Sequence, residues 1–189
     1  MLEEVETEID DATKRAWELV RSTDPRFFTV RPHHSSWSAA ECLAHLSIST
    51  EMFLPVLEKS IDEGRRRGLT TTRKPSMDVV GRVLRWFLEP PIRKRLATSA
   101  PLVPKAVRAK AEAFGEFSSL QSRLIDLLHQ ASGLDLGKLK IVSPFDKRVR
   151  YNLYSAFMII VAHQRRHLWQ AEKAVADLKA SASLRAALR

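Results

Sequence analysis

Three of the six histidines in the chain are placed where they could share a metal ion. His163 and His167 form an H-x-x-x-H pair, and residues four apart stack on one face of a helix, so the two imidazoles can meet at one point. His45 lies on the apolar stripe of an earlier predicted helix and could face the same interior. Three neutral imidazoles with an open fourth position are typical of a catalytic metal site.

The same spacing has a simpler interpretation, in which each residue is a packed, hydrogen-bonded core histidine. A chance pair four residues apart is common in a chain with six histidines, so the motif alone is weak. Metal binding is favoured because burying several imidazoles without a shared purpose is costly. The intervening residues 164–166 are also predicted to point away from the pair. We expect a divalent ion, most simply Zn, Ni or Fe, because imidazole suits each of them.

Apolar periodicity predicts the helices that must position these histidines. Four long amphipathic helices are expected at about 2–22, 37–63, 105–132 and 151–180. Ser38 and Glu41 form a capping box at the start of the second helix, and Gly64 is expected to end it. The pattern predicts an all-α four-helix bundle that forms a single domain over residues 1–180, followed by a C-terminal tail at 181–189.

A basic, irregular insertion separates the second and third predicted helices. Residues 64–110 carry 13 basic and 2 acidic side chains, whereas residues 1–63 carry 6 basic and 13 acidic ones. The insertion proper covers about 64–104 and contains a short helix at 76–88. Contact with the acidic N-terminal region, within the chain or across a homodimer, is the favoured interpretation. Nucleic-acid binding is less favoured because few aromatic residues are interleaved with the basic ones.

Composition and charge exclude several classes of protein. The single cysteine, Cys42, rules out a disulfide framework within the chain. The N-terminal segment is acidic, unlike a secretory signal, and the sequence has no apolar run long enough for a membrane span. We therefore expect a cytoplasmic protein without a membrane span. Residues 79–88 are amphipathic and basic, which leaves contact with a membrane surface open.

Two short segments resemble the DinB/YfiT-like family. The first is W-S-x-x-E-C-L-x-H-L, from Trp37 to Leu46, and the second is H-x-x-x-H-x-x-Q, from His163 to Gln170. By helix order the resemblance covers roughly residues 37–173. It implies a four-helix bundle of unusual connectivity, often dimeric, that holds one divalent ion through His45, His163 and His167. Members of the family include thiol-dependent transferases and a thiol-dependent isomerase.

Other residues near these motifs are weaker candidates. Glu41 lies one turn before His45 and could accept a proton, although its capping role already explains it. Gln170 could orient a ligand or substrate. Cys42 could be a nucleophile, but a buried cysteine is usually a small apolar residue. His33 and His34 could line the mouth of the site, and His129 is placed to offset a helix dipole.

Two functions of different class follow. The leading hypothesis is a divalent-metal-dependent enzyme that transfers a low-molecular-weight thiol to an electrophilic small molecule, with the basic insertion attracting an anionic thiol. The alternative is a non-enzymatic stress-response or binding module, in which the segment 64–110 contacts nucleic acid or a protein partner.

Overall fold

The computed structural model describes residues 2–91, 98, 100–106 and 108–188. The elements are α1 (Glu3–Ser22), α2 (Pro25–Phe28), α3 (Ala39–Arg66), α4 (Val79–Leu88), α5 (Lys110–Gln130), β1 (Lys140–Val142), β2 (Arg150–Asn152) and α6 (Leu153–Ala187), with a 3-10 turn at Ala100–Leu102. The four predicted long helices correspond to α1, α3, α5 and α6. The prediction of an all-α fold is confirmed, and the described β structure is limited to a two-stranded antiparallel sheet and an isolated bridge between Thr70 and Leu134.

The four long helices form a bundle in which consecutive helices are not all neighbours. Helix α1 packs against α5 and α6, and α3 packs against the same two helices. Helices α1 and α3 therefore lie across a diagonal of the bundle. The most extensive packing joins α3 to α6, and these are the helices that carry His45 and the His163–His167 pair.

Several predicted boundaries were wrong. Gly64 does not end α3, which continues to Arg66; a Cβ at Gly64 would come within 2.7 Å of Leu139, so glycine permits a close approach there. Helix α5 begins at Lys110 rather than at residue 105. Helix α6 continues to Ala187, through the predicted tail, where residues 181–188 are all exposed. The division into a domain and a tail stays a prediction.

The predicted connections contain short elements that periodicity did not show. The four-residue helix α2 lies between the first and second predicted helices, and its N-cap, Asp24, accepts a hydrogen bond from the Arg26 amide. Strand β1 lies between the third and fourth predicted helices, and β2 takes up the first residues predicted for the fourth, with Ile141 opposite Tyr151. Three residues are too few to show the alternation that marks a strand.

A polar layer crosses the bundle between two apolar clusters. One cluster includes Phe53 and Phe157, and the other includes Leu46 and Leu168. Along α6, residues 163–167 lie at the junction of the clusters. Besides the histidines, this layer contains Gln164, whose buried amide exchanges hydrogen bonds of 2.6 and 3.2 Å with the amide of Gln121 on α5. A buried pair of this kind stabilises only when both partners are satisfied, so it fixes the register between α5 and α6.

The insertion between α3 and α5 is docked on the bundle at both ends of α4. At the N-terminal end, the Asp78 carboxylate caps Gly81 and also accepts hydrogen bonds from Ser155 and from the backbone amide of Asn152. At the C-terminal end, Glu89 accepts from Arg165, which also contacts Glu8 of α1. These contacts hold α4 along α6, so this part of the insertion belongs to the folded body.

Gly81 lies where α4 packs closely against Ser155 of α6. A Cβ at this position would lie 2.2 Å from Oγ and 2.3 Å from Cβ of the buried Ser155, whereas a Cβ at Gly115 in α5 would meet open space. We expect Gly81→Ala to lower the free energy of unfolding despite the better helix propensity of alanine. Gly115→Ala should raise it by about 0.5–1 kcal/mol. Urea unfolding of both variants measures the two signs, and equal stabilisation would contradict the close contact.

Candidate metal centre

His45 lies on the second turn of α3, and its orientation is fixed by the insertion. The Ser38–Glu41 capping box predicted from sequence is present and starts this helix. The His45 ring is 2% exposed, and its Nδ1 is 2.8 Å from the carbonyl oxygen of Leu102. A carbonyl only accepts hydrogen bonds, so Nδ1 carries the proton and Nε2 presents a lone pair. This is the way in which metal-binding histidines are usually oriented.

His163 and His167 bring their rings to the same point from α6. Nε2 of His163 lies 3.1 Å from Nε2 of His45, and one nitrogen of each of the three rings lies within 4.8 Å of the others. The ring centroids are 4.3 to 5.0 Å apart. The structure therefore brings together all three residues that the sequence predicted as ligands.

The arrangement fits a divalent ion. Two imidazole nitrogens bound to one tetrahedral zinc ion lie about 3.3 Å apart, close to the observed separation of His45 and His163. The buried Nδ1 of His167 has no hydrogen-bond partner among the described residues. A hydrogen bond between His45 and His163 would satisfy their two facing Nε2 atoms in the absence of an ion, and Gln170 lies within reach of the His167 ring. The support for an ion is therefore the convergence of one nitrogen from each ring. The three residues could thus hold a metal ion.

All three imidazoles are kept neutral. Burial lowers the pKa of His163 to about 3, and the neighbouring charges of His45 and Arg166 act in the same direction. Burial also lowers the pKa of His167, and it lowers that of His45, partly offset by the hydrogen bond to Leu102. A ligand nitrogen must be unprotonated to bind a metal, so the site is competent at neutral pH.

A cavity of about 980 Å³ opens beside the three histidines. Its walls come from the loop before α3, from α6, from the segment around β1 and β2, and from the insertion. Aromatic and aliphatic residues form much of the lining, including Trp37, Phe87, Leu88, Leu102, Phe145, Tyr151 and Trp169. The Trp37 ring lies 4.9 Å from that of His45 and 5.8 Å from that of His167, centroid to centroid. The histidines therefore face a space large enough for a small-molecule ligand.

The insertion turns its apolar side to this cavity. Its described lining residues are Leu84, Phe87, Leu88, Thr98, Leu102 and Val103. Arg82 is exposed on the outer side of α4, and Arg85 pairs with Glu89 at 3.1 Å. The basic residues 93–95 lie outside the described residues. The expectation that the insertion supplies the charge that attracts an anion therefore has no support from its described lining residues.

The predicted contact between the basic insertion and the acidic N-terminal region is local where it is seen. Arg66 and Arg67 pair with Glu63, one helical turn away. Acidic residues of α1 have other partners: Glu6 pairs with His129 and Glu8 with Arg165. At the other end of the basic segment, the ammonium of Lys110 donates to the carbonyl of Thr23. The described contact within the chain is therefore limited to these places.

Glu41 and Cys42 are held in positions that do not favour chemistry. The Glu41 carboxylate accepts from Ser38 at 2.9 and 3.0 Å and from Arg31 at 2.8 and 3.0 Å. Burial alone would raise the pKa of Glu41, but these hydrogen bonds lower it overall, so the carboxylate stays charged and engaged. Burial raises the pKa of Cys42, and the charge of Glu41 adds to this, which disfavours the nucleophilic thiolate.

The remaining candidates divide between the cavity and the surface. Gln170 lines the cavity, and its buried Oε1 has no hydrogen-bond partner among the described residues. His33 and His34 are exposed and do not line the described cavity. His129 is exposed near the end of α5 and lies 3.0 Å from Glu6.

Two features of the site escaped the sequence interpretation. The carbonyl of Leu102 orients His45 from 57 residues away, and a backbone acceptor has no signature in sequence. Arg166 was expected to point away from the histidines, but it lines the cavity with 5% of its surface exposed. Its spacing of three residues from His163 did carry a signal, because such residues share a helix face. Gln164 and Arg165 do point elsewhere, toward α5 and toward α1 and α4.

The chain is a four-helix bundle in which α1 and α3 lie across a diagonal and three histidines on α3 and α6 converge. These features are those of a candidate metal-binding helical bundle. The family model for the DinB superfamily matches residues 8–171, and the chain belongs to this superfamily. Neither the curated proteins nor the solved structures gave a match. Within the part of the chain that is described, no helix has the length and apolar character needed to cross a membrane.

The lowered pKa values of the histidines predict the pH dependence of stability in chelator. The unfolded chain takes up protons near pH 6.5, whereas His163 in the folded chain resists them until about pH 3. Stability should therefore be complete above pH 6.5 and fall as the pH drops, by up to about 1.4 kcal/mol per pH unit for each ring that stays neutral.

Urea unfolding between pH 7.5 and about 5.5 measures this slope above the range in which carboxylates titrate. His163→Gln should reduce the slope, and His129→Gln, which alters an exposed ring, is the matched control. A stability that is flat across this range in the unmodified chain would contradict the burial of neutral imidazoles.

Proposed function

We propose that His45, His163 and His167 bind one divalent metal ion, and that the chain is an enzyme acting on a small molecule in the adjoining cavity. The observation that carries the proposal is the convergence of the three ligand nitrogens, with Nε2 of His45 aimed inward by the carbonyl of Leu102. Three neutral ligands would leave a coordination position available to a small molecule, which is the layout of catalytic rather than structural sites.

Transfer of a low-molecular-weight thiol to an electrophile is the reaction class that we favour. A bound divalent ion would supply Lewis acidity, lowering the pKa of a thiol or water placed at the open position. The chain's own cysteine is a poor nucleophile, so the reacting sulfur is that of the substrate. Much of the cavity wall is apolar, and Gln170, which lines the cavity beside His167, is proposed to orient the substrate.

Zinc, nickel and iron each suit three imidazoles, and nothing in the donor set selects among them. A homodimer and a cytoplasmic location stay predictions.

The outer face of α4 exposes Val79, Val83 and Trp86 beside Arg82. This apolar, basic surface is the feature that would serve the alternative function as a binding module. We favour the enzyme because the opposite, inner face of α4 lines the cavity beside the three histidines.

Metal content gives the first test of the proposal. The untagged chain should contain about one divalent ion, measured by plasma mass spectrometry, and His45→Ala and His163→Ala should each lose it because two imidazoles hold an ion far less tightly than three. His129→Ala removes an exposed histidine of α5 and should keep the ion. The chelator-treated chain should unfold at a lower temperature than the loaded one. A native chain that contains no metal and has the same stability with and without chelator would refute the proposal.

Thiol reactivity gives the second test. The metal-loaded chain should accelerate the reaction of a small thiol with 1-chloro-2,4-dinitrobenzene, in which a C–S bond forms, the C–Cl bond breaks, chloride leaves and the thiol proton goes to solvent. We expect the acceleration to disappear with chelator and in His163→Ala, and to survive in His129→Ala. The absorbance of the thioether product follows the rate. A rate that is the same with and without metal would exclude thiol activation while leaving metal binding intact.

A further inference from the structure

Helix α4 presents a second apolar face, on the side that points away from the cavity. This outer face carries Val79, Val83 and Trp86, which recur at intervals of four and three residues and so share one side of the helix. They are 64%, 48% and 53% exposed, and Val80 beside them is 42% exposed. In the part of the chain that the structure describes, nine large apolar side chains are exposed, and these four lie together within ten residues. Single exposed apolar residues are ordinary, whereas a cluster of this kind marks an interaction surface.

The outer face of α4 is also basic. Arg82 lies among its apolar side chains and is exposed; it donates to the carbonyl of Met77 at 3.2 Å and forms no ion pair with a described residue. Residues 64–88 carry seven basic side chains and one acidic one, Asp78, which pairs with Lys140 at 2.8 Å. Helix α4 itself contains no acidic residue. The potential over this face is therefore positive, and it attracts an anionic partner.

Contacts at both ends of α4 fix this face on the bundle. Asp78 caps the N-terminal end and also accepts a hydrogen bond from Ser155 of α6, and at the other end Glu89 accepts from Arg165. Trp86 packs edge-on against its neighbour in the helix, with the two ring centroids 4.8 Å apart. A partner therefore meets a preformed surface, so little ordering of the backbone opposes its binding.

Two other kinds of partner fit this face less well. Two copies of the chain that meet about a twofold axis bring the same patch together, so their Arg82 side chains would approach each other with no acidic residue of α4 to pair with. Nucleic acid is bound through phosphate contacts and aromatic stacking, whereas three of the four exposed apolar side chains here are valines. Aliphatic side chains with a tryptophan and a basic residue are instead typical of proteins that lie in the interface of an anionic membrane.

We propose that the outer face of α4 docks on the surface of a membrane that contains anionic phospholipids. Val79, Val83 and Trp86 enter the boundary between headgroups and acyl chains, and Arg82 contacts lipid phosphate groups. Because the face is small, the binding is weak and reversible, and salt weakens it by screening. The inference goes beyond the proposed function and does not depend on it, because the docking face points away from the three histidines.

Co-sedimentation of the full chain with vesicles tests the docking. At low salt the chain should bind vesicles of equal parts phosphatidylcholine and phosphatidylserine about fivefold or more tightly than vesicles of phosphatidylcholine alone, the effect expected of one basic side chain at an anionic surface. Trp86→Ala should weaken binding to the anionic vesicles about tenfold, because the indole is the largest apolar group on the face. Arg82→Gln should remove much of the preference for phosphatidylserine. Equal binding of the unmodified chain to both kinds of vesicle, or binding to neither, would overturn the proposal.

Matched variants on other helices separate this face from the rest of the surface. Trp17 on α1 is 48% exposed, close to the value for Trp86, and Trp17→Ala should leave vesicle binding unchanged. Arg123 is an exposed arginine of α5. Arg123→Gln changes the net charge as Arg82→Gln does, but it should keep the preference for phosphatidylserine. Control variants that weaken binding as much as the variants of the outer face do would show that the contact is not specific to α4, and would overturn the proposal.

A second variant keeps the test valid if Trp86→Ala disturbs the packing of α4. The Val79 side chain is 64% exposed, so Val79→Ser should weaken vesicle binding while urea unfolding shows that the fold is retained. Unchanged vesicle binding in this variant would contradict the docking.

The other occupants of the face are tested in the same preparation. Sedimentation velocity detects a dimer, and an electrophoretic mobility shift detects binding of duplex DNA. A dimer that Val83→Asp dissociates, or DNA binding that Arg82→Gln abolishes, in a chain that does not bind vesicles would assign the face to that partner and overturn the membrane proposal.

Discussion

The placement of three uncharged imidazoles, two buried and one half-buried, at one junction of α3 and α6 is the constraint on which the rest of the molecule depends. Polar rings in a protein interior are stable only when each nitrogen has a partner. His45 has the carbonyl of Leu102 on one side and His163 on the other, whereas Nδ1 of His167 has no partner among the described residues. A cation at the common point would be bound by one nitrogen of each ring, and this convergence distinguishes the cluster from separately packed core histidines.

The insertion between α3 and α5 completes that centre. Asp78 anchors it by accepting hydrogen bonds from residues of α4, β2 and α6. Farther along the chain, the carbonyl of Leu102 accepts a hydrogen bond from His45. Phe87 positions Arg166 from the same segment. The orientation of a ligand, the wall of the cavity and the placement of a buried charge thus all depend on a segment that looks like an irregular basic loop in the sequence.

The features that could be predicted from the sequence are those that depend on residues close together along the chain. The bundle, the capping box at Ser38 and the grouping of His163 with His167 depend on spacings of three or four residues, and these were visible in the chain. The docking of α4 depends on contacts between residues more than 70 positions apart, and the hydrogen bond to Leu102 uses a group that every residue possesses. Arg166 is the opposite case. Its spacing of three residues from His163 indicated a shared helix face, but the sequence interpretation assigned that face to the histidines alone.

The central claim is that one divalent ion is bound by nitrogens of His45, His163 and His167. Anomalous diffraction from crystals of the metal-loaded chain, collected on both sides of the metal's absorption edge, tests it most directly. We expect one anomalous peak per chain, about 2.0–2.2 Å from a nitrogen of each of the three rings. A peak located elsewhere would contradict the claim. So would the absence of a peak in crystals grown at saturating metal in which the three rings are still packed together.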